Sequence, residues 1–463
     1  MAGILQVPDA ELKEEKMLSV EESGASSRGI ASAFRPLIPW AMKSGFALMD
    51  QGLISGSNFL ISILLARWLM PDQYGAYALA FSIFVLVSLL YQSLLLEPMA
   101  VFGGSAYRSS LREYLKKLLW IHAALASFIF ITLGAAALVA RIVGQSSGLP
   151  GALAGITLAA PCVLFFWLAR RSFYLELSPA SACLGALVYF SLALVGLYLA
   201  ERLGILSPFL AFLLIAVSAL ATGIFQMMRL NAALPPDRND LQVREIWHRH
   251  WTYGRWALAS CVAGWIPAYI YYPLLSSFSG MAQSGQLKAL MNLVLPLQQT
   301  QAALTLLFLP YAARIHGQEG SAGANVVNRR ITMFVVASAL AYWATIIPLR
   351  TTVFQFLYSG KYMEVAYLVP VVAIGSILWS AVSGSAIVLR AMESPQSVFI
   401  AFFASSALSL IIGIPATRQF GLAGAVWGMN IADAGALLMV VVLLRRKISE
   451  TVAIPAANYQ ETI

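Results

Sequence analysis

Two acidic side chains stand deep inside long apolar stretches of this sequence, and they are the first candidates for chemistry. Asp50 lies in the stretch LMDQG, and Asp433 lies one turn after Asn430 in NIADAGALLM. A carboxylate in apolar surroundings is costly unless it meets water, a cation or a hydrogen-bond donor. We therefore expect both side chains to take part in coupling or gating, by binding a cation or a proton.

Each of these carboxylates also has a structural interpretation. Asp50 could lie near the start of its helix, where the backbone amides stabilise a negative charge. Asp433 could form a hydrogen bond to a neighbouring helix. Glu97, in LLLEPMAVF, is a third coupling or gating candidate, and its alternative is a structural ion pair. Its candidate partners are Arg170, Arg171 and Arg390.

No catalytic motif accompanies these acids. The sequence contains no phosphate-binding loop of the Walker type, no H-E-x-x-H and no paired-cysteine motif. Its three cysteines lie in apolar runs, where packing is their expected role. The four histidines lie on separate or loop segments: His122, His248, His250 and His316. We therefore expect no enzyme, no metal and no cofactor, and only a coupling ion, H⁺ or Na⁺.

The elements that position these residues are apolar runs. Between residues 43 and 447, roughly twelve runs of about 20 residues alternate with short polar breaks, and each run is long enough to cross a hydrocarbon core of about 30 Å. Hydrophobic residues make up 59% of the 463 residues, and only 11% are charged. Soluble domains average about 25% charged residues. The sequence therefore predicts an all-α integral membrane protein with about twelve transmembrane helices.

A polar stretch around Pro235 divides the runs into two sets of six. The predicted parts are a cytoplasmic tail and lead-in (1–42), an N-terminal six-helix lobe (43–230), a cytoplasmic linker (231–255), a C-terminal six-helix lobe (256–447) and a cytoplasmic tail (448–463). Most of the 30 Lys and Arg residues fall in the tails and alternate loops, which predicts that both termini are cytoplasmic. Because the net charge of +9 is spread over short loops, we expect no nucleic-acid partner.

The two lobes share a polar break. The fourth helix ends in RRSFYLELSP and the tenth in RAMESP, so basic, acidic and Ser-Pro residues follow each other in both. This parallel indicates an internal duplication. Because six is an even number of crossings, the lobes would share one orientation and be related by an axis along the membrane normal. Such an arrangement leaves a central cleft between them.

Two segments resemble a known family. They are GSNFLISILLARWLMPDQYGAYALAFSI, with Asn58 and Gly75, and FGLAGAVWGMNIADAGALLMVVVLLRRK. Both resemble the O-antigen and exopolysaccharide repeat-unit flippases of the multidrug/oligosaccharidyl-lipid/polysaccharide exporter superfamily, and the resemblance covers the transmembrane region in order. It implies a V-shaped bundle in the cytoplasmic membrane that moves undecaprenyl-pyrophosphate-linked oligosaccharide to the periplasmic leaflet. The implied partners are this lipid, membrane lipids, and polysaccharide polymerase and export machinery.

For such a substrate, a basic and polar cleft would be needed, because an unpaired charge in hydrocarbon costs many kcal/mol. The substrate-binding candidates are Arg67 and Lys288 on the external side, Arg314 and Arg390 at cytoplasmic helix ends, and Gln298 and Gln301 in the polar run after Pro296. For the external pair, the alternative is snorkelling to the lipid headgroups. For the cytoplasmic pair, it is ordinary positive-inside anchoring.

Two other functions compete with the flippase. A cation-coupled multidrug antiporter of the same superfamily would need a carboxylate-rich cavity, for which only Asp50 and Asp433 are candidates. A membrane polymerase or ligase typically carries a large external loop. The longest external loop here is the short region TTVFQFLYSGKYMEV, which argues against an enzyme. The sequence therefore favours a flippase.

Overall fold

A computed structural model of the chain describes residues 37–144, 148–235 and 241–452. Within these ranges the regular structure is entirely helical, without a strand. The all-α membrane fold predicted from the sequence is confirmed. Residues 1–36 and 453–463 of the predicted tails, and residues 236–240 of the predicted linker, lie outside the described residues.

The described helices form two halves. The first half contains α1 (Leu37–Trp68), α2 (Pro71–Tyr91), α3 (Glu97–Gly104), α4 (Leu111–Ile142), α5 (Leu149–Leu175), α6 (Pro179–Arg202) and α7 (Pro208–Ala233). The second half contains α8 (Val243–Tyr269), α9 (Tyr271–Phe278), α10 (Met281–Asn292), α11 (Leu295–Ile346), α12 (Arg350–Tyr358), α13 (Val369–Ala391), α14 (Pro395–Leu408) and α15 (Ile414–Val452). Single π turns, Gln92–Leu96 and Ser409–Gly413, join α2 to α3 and α14 to α15.

Proline marks the start of several spans. Pro71, Pro179 and Pro208 each stand in the first turn of a helix. The first amides of a helix have no partner within it, so proline costs no hydrogen bond there and its fixed φ suits the helix. At α7 the preceding Ser207 accepts a hydrogen bond from Leu210 N at 3.2 Å. These first turns account for where the spans begin.

Two of the helices reverse direction at a glycine. The ring centroids of Phe308 and Phe334 in α11 lie 5.7 Å apart, whereas a straight helix would separate these residues by about 39 Å. The reversal occurs at Gly320, whose φ of 63° and ψ of −147° suit only glycine. In α15 the chain reverses in the same way at Gly421. Helix α11 therefore crosses the membrane twice, and so does the continuous segment formed by α14 and α15.

The reversals explain the number of crossings. By length and hydropathy, eight helices of the described chain can cross a membrane, or ten if two bent pairs are each counted as one span. Two of these ten segments contain the reversals at Gly320 and Gly421, so each of them crosses twice. The described chain therefore makes twelve crossings, six in each half.

The turns alternate between two ends of the bundle. We call one the outer end, which contains Met70, Gly204, Gly280, Gly360 and Gly421. The opposite, inner end contains Ser105, Leu177, Gly320 and Glu393. The inner end is the one that the positive-inside rule predicts to face the cytoplasm.

The apolar core joins the halves at the outer end and divides at the inner end. One cluster runs from Tyr74 and Leu95 in the first half to Leu290 and Trp343 in the outer part of the second half. A separate cluster, which includes Val388, fills the inner part of the second half. Apart from the inner part of α8, which packs on the first half, the halves share a core only at the outer end, and a cleft opens between them towards the inner end.

The two Ser-Pro breaks adopt the same turn in both halves. Leu177 and Glu393, the residues before the serines, have φ values of 51° and 55°. In each turn the serine N–H donates to the carbonyl five residues earlier, at 2.9 Å. Positive φ is uncommon for residues other than glycine. Its recurrence at matching positions therefore supports the internal duplication.

Two predicted boundaries shift. Helix α1 begins at Leu37 rather than near Gly45, so the predicted lead-in joins the first span. The predicted linker is largely helical, because α7 continues to Ala233 and α8 begins at Val243. The inner part of α8 packs against the first half of the molecule.

Candidate functional site

Glycines close the outer end of the cleft where α2 crosses α10. A Cβ atom on Gly75 would collide with the carbonyl oxygen of Met281. A Cβ atom on Gly285 would lie 2.8 Å from the carbonyl oxygen of Pro71. The absence of side chains at both positions lets the two backbones touch. This crossing brings the two halves into direct contact.

A buried polar network reinforces the contact. Ser62 Oγ donates to Asn292 Oδ1 at 2.9 Å, and Asn292 Nδ2 donates to the Tyr74 hydroxyl at 3.0 Å. Ser62 Oγ also lies 3.0 Å from the same hydroxyl. All three side chains are buried. If α10 moved away from α1 and α2, Asn292 would lose both of its partners, and Ser62 and Tyr74 would each lose one, so the network stabilises the closed outer end.

Lys361 adds a charged link at this end. Its Nζ donates to the carbonyl oxygens of Arg67 and Leu69, at 2.8 and 2.9 Å. These carbonyls belong to the end of α1, where the helix dipole is negative and favours a cation. Lys361 lies in the loop between α12 and α13, and burial lowers its pKa below the ordinary value. The second half therefore caps a helix of the first.

Helix α8 is anchored to the first half on the inner side. His250 Nε2 lies 2.8 Å from the Tyr114 hydroxyl, and His250 Nδ1 lies 3.1 Å from Leu94 O in the π turn. A Cβ atom on Gly254 would collide with Ser93 O. The apolar span of α8 begins at Ala257, so His250 lies outside it. Burial lowers the pKa of His250 to about 4, so the ring is neutral at pH 7 and joins both groups.

The walls of the cleft are polar and uncharged at mid-depth. Ser55 Oγ of α1 donates to Gln299 Oε1 of α11 at 3.0 Å, which sets these two helix faces opposite each other. Gln51, one turn towards the inner end, donates to Ser55 Oγ at 3.4 Å and is exposed. Gln298 and Thr300 of α11 are exposed as well. Hydroxyl and amide groups therefore line the middle of the cleft.

The Asp50 carboxylate lies behind the α1 wall and is fully paired. Arg170 Nη2 lies 2.7 Å from Asp50 Oδ2, and Arg170 Nε donates to both carboxylate oxygens. The Tyr174 hydroxyl donates to the same carboxylate. Asp50 is completely buried, while the Arg170 side chain is 16% exposed and reaches Gln51 Oε1 at 3.4 Å. The pair is therefore neutral overall, and only its basic member approaches the cleft.

Asp433 in the second half has a different environment. It is half-buried on α15, and among the described residues no hydrogen bond or ion pair reaches its carboxylate. The hydroxyls of Tyr271 and Ser409 are buried close to each other. Tyr271 lies within electrostatic range of Asp433. Asn430, one turn earlier, donates to Val371 O at 2.8 Å. We call Asp433, Asn430, Tyr271 and Ser409 the Asp433 cluster.

Asp433 supplies a carboxylate and Asn430 an amide oxygen, which are ligands that hard cations prefer. Asn430 Oδ1 and Asp433 Oδ2 both face Gly375, where a Cβ atom would displace the amide oxygen. The same carboxylate could instead take up a proton. Among the described residues, no group of three His, Cys, Asp or Glu side chains could hold a metal ion.

The other predicted residues fall into two groups. Lys288 is buried, with its Nζ 4.4 Å from the Phe81 ring centroid. Gln301 is also buried and donates to Ser380 Oγ at 2.5 Å. Neither faces the open cleft in this conformation. The exposed residues are Arg67 at the outer end, Gln298 at mid-depth, and Glu97, Arg314 and Arg390 on the inner side.

The structure also changes one expected pairing. Arg170 was a candidate partner for Glu97, but it pairs with Asp50 instead. Glu97 lies within electrostatic range of Arg171. The interpretation of Asp50 as a residue near a helix start is wrong, because α1 begins more than three turns before it. Tyr174 was not among the predicted site residues, although it lies one turn after Arg170 and therefore shares a helix face with it.

Comparisons with known proteins agree on the architecture. No family model matches the chain, and no curated protein matches it. Among solved structures, the chain is similar to an inward-facing multidrug resistance MATE family transporter of the MOP superfamily. The TM-score is 0.70 at 16% identity, and the similarity covers 88% of this chain and 96% of the other. The chain has the fold of this transporter.

Two further structures have the same fold. The lipid II flippase MurJ, in an inward closed conformation, has a TM-score of 0.63 and 12% identity, over 89% of this chain and 90% of the other. An outward-facing MATE family transporter has a TM-score of 0.62 and 14% identity, over 88% and 94% of the two chains. The MATE and MurJ fold thus extends over nearly all of the chain that the structure describes.

Proposed function

We propose that this protein is a flippase that carries undecaprenyl-pyrophosphate-linked oligosaccharide repeat units across the cytoplasmic membrane by alternating access. The observation that carries the proposal is the uncharged polar lining formed by Gln51, Ser55, Gln298, Gln299 and Thr300. Amides and hydroxyls are suited to bind sugar hydroxyls through hydrogen bonds. The fold shared with MATE transporters and the lipid II flippase MurJ supports a transport function.

In this proposal the basic residues act in sequence. Arg314 and Arg390 are exposed on the inner side and would attract the pyrophosphate as it enters. Gln298 would contact the sugar at mid-depth. Lys288 is buried while α2 and α10 touch, so it and Arg67 would meet the substrate only after the outer end opens. The polysaccharide polymerase and export machinery would then use the delivered repeat unit.

The Asp433 cluster is the proposed coupling site. A cation or proton bound to Asp433 would neutralise a carboxylate that lacks a basic partner among the described residues. Neutralisation lowers the cost of burying this group, so binding would favour one packing of α15 against α9 and α13 over another. The ion gradient would thereby drive the cleft from one orientation to the other.

A cation-coupled multidrug antiporter is the second candidate. The likeness to an inward-facing MATE transporter, with a TM-score of 0.70, favours it. Cationic drugs would be expected to bind an unpaired carboxylate in the cleft. Asp50, the carboxylate behind the cleft wall, is already paired with Arg170 and Tyr174, so only Asp433 remains of the two candidate carboxylates. A single carboxylate does not make the carboxylate-rich cavity that this function would need. We therefore prefer the flippase.

Reconstitution tests the choice between the two functions. The full chain is placed in liposomes with a fluorescent undecaprenyl-pyrophosphate oligosaccharide, and flipping is measured by quenching with a membrane-impermeant reductant. We expect flipping by the parent protein and a strong loss in the double variant Gln298→Ala/Gln299→Ala. In cells, deletion should remove a surface polysaccharide. Intact polysaccharide together with increased drug sensitivity would instead establish the antiporter.

Labelling tests the orientation on which the direction of transport depends. A cysteine at the exposed Gln242 should be protected from a membrane-impermeant thiol reagent in intact cells. A cysteine at the exposed Thr352, at the outer end, should react. The parent protein, with Cys162, Cys183 and Cys261, gives the background. The reverse pattern would contradict a cytoplasmic inner end.

A further inference from the structure

The first half contains a second cavity, separate from the cleft between the halves. Helices α4 and α7 both pack against α5 and leave a groove between them at the inner end. The groove has a volume of about 370 Å³, and Phe165 of α5 contributes to its lining. None of its lining residues belongs to the cleft described above.

The lining residues follow one face of each helix. On α4 they are Arg112, Leu115, Lys116 and Leu119, and on α7 they include Ile224, Met227, Met228 and Asn231. Both sets have the spacing i, i+3, i+4 and i+7, which places their members on a single helical stripe. The two stripes face the same groove, so its surface is continuous.

Polar and basic groups occupy only the inner end of the groove. Arg112 Nε donates to Asn231 Oδ1 at 3.0 Å, and Lys116 lies one turn further along α4. Glu113 pairs with Lys116 at 3.2 Å and with Lys117 at 3.1 Å, so three cations stand beside one carboxylate. The mouth of the groove therefore carries a net positive charge, which suits a phosphate group.

The rest of the groove is apolar and reaches into the bilayer. The apolar part of the α7 stripe runs from Leu230 back to Ile224, which is about 9 Å along the helix axis. Met228 is 69% exposed and Ile224 is 47% exposed, so the groove is open towards the lipid. Trp120, 70% exposed, lies one turn beyond Lys116, and exposed tryptophans are common at the membrane interface.

We propose that this groove binds an anionic phospholipid of the leaflet at the inner end. Its phosphate lies against Arg112 and Lys116, and one acyl chain lies along Met228 and Ile224. The combination of a basic mouth and an apolar trough that is open to the bilayer fits a whole lipid better than a soluble phosphate. The site is independent of the transported substrate, because it lies outside the cleft.

Native mass spectrometry of the delipidated full chain in detergent tests the site. The probes are palmitoyl-oleoyl phosphatidylglycerol and palmitoyl-oleoyl phosphatidylcholine at equal concentrations. We expect at least threefold more one-to-one complex with phosphatidylglycerol. Arg112→Gln/Lys116→Gln should abolish this preference, and Met228→Trp should reduce binding of the lipid by filling the trough. Arg330→Gln, which removes an exposed charge elsewhere on the inner side, should leave the preference unchanged.

Four outcomes would overturn the proposal. Equal binding of the two lipids would remove the anion requirement, and full displacement by glycerol 1-phosphate would indicate a headgroup-only site. Preferential displacement by undecaprenyl pyrophosphate would assign the groove to the transported lipid. Unchanged lipid binding by Met228→Trp would show that no acyl chain lies in the apolar trough. This variant stays informative if the double variant fails to fold, because the Met228 side chain is largely exposed.

Discussion

Asp50 in the first half and Asp433 in the second are both carboxylates within spans, and their surroundings differ. In the first half, Arg170 and Tyr174 surround Asp50, which is completely buried. In the second half, Asp433 is half-buried within electrostatic range of Tyr271, and no basic group pairs with it among the described residues. A permanently neutralised pair stabilises one arrangement of helices, whereas an unneutralised acid is able to exchange a proton or cation. We therefore propose a structural role for Asp50 and keep Asp433 as the proposed coupling residue.

The largest expected effect is on stability, from Asp50→Asn. Removing one member of a buried ion pair leaves the other charge without compensation, which costs about 3–5 kcal/mol of unfolding free energy. We expect a clearly lower midpoint of thermal unfolding for the purified protein. Asp433→Asn is the matched change in the second half, and it should leave the midpoint unchanged or raise it, because it removes a buried charge.

A double variant sharpens this test. Asp50→Leu/Arg170→Leu removes both charges together, so most of the lost stability should return. If Asp50→Asn unfolds at the same temperature as the parent, the first-half pair contributes little, and the contrast between the halves disappears. Equal destabilisation by Asp50→Asn and Asp433→Asn would have the same consequence.

The second effect is on coupling. Allosteric coupling between two sites is typically worth about 1–3 kcal/mol, or about 5–150-fold in affinity. We expect Asp433→Asn to lower gradient-driven flipping by about tenfold or more and to abolish binding of ²²Na⁺ or the proton uptake that accompanies it. Flipping without a gradient should change less. Normal ion binding and gradient-driven transport in this variant would place coupling at another residue.

The sequence predicted the spans well but not which faces of the helices meet. Apolar runs and first-turn prolines mark where each helix lies along the chain. The rotation of a helix about its axis is not readable in the same way, because lipid and protein interior are both apolar and no amphipathic stripe separates them. Arg170 was therefore one of three candidate partners of Glu97, whereas in the structure it reaches Asp50 across 120 positions of sequence.

The glutamines after Pro296 show the same limit. Gln299 and Gln301 are two residues apart, so about 200° of rotation separates their side chains. Gln299 faces Ser55 across the cleft, and Gln301 points into the second half towards Ser380. The spacing alone indicates that both cannot line one surface. It does not indicate which of them does, since either face can be the wet one.

This difference predicts a third, smaller effect. Gln301→Ala should lower the unfolding free energy by about 1–3 kcal/mol, because it leaves the buried Ser380 hydroxyl with one partner fewer. Gln299→Ala removes a bond at an exposed position and should change stability by less than about 0.5 kcal/mol. Flipping should respond in the opposite order, since Gln299 borders the cleft and Gln301 does not. Chemical unfolding and flipping assays on both variants provide the two measurements, and equal stability losses would contradict the assignment of faces.

The smallest effect tests how far the two halves remain equivalent. Leu177 and Glu393 have matching positive φ values in the two Ser-Pro turns. A left-handed conformation costs an L-residue about 1–2 kcal/mol, and glycine avoids this cost. At both positions glycine should therefore be more stable than alanine, by about 1 kcal/mol. Because the turns have the same backbone, the difference between the glycine and alanine variants should be equal in the two halves.

The control for this comparison is an exposed helical position. At Ala180, in the first turn of α6, glycine should be less stable than the native alanine, by up to about 1 kcal/mol. The difference in unfolding free energy between glycine and alanine therefore has opposite signs at position 180 and at the two turn positions. The contribution of the unfolded chain does not change this result, because it is common to all three positions. The same sign at all three positions would show that the turns are not strained. A reversal at Leu177 but not at Glu393 would show that the halves kept the turn sequence while losing its shared conformation.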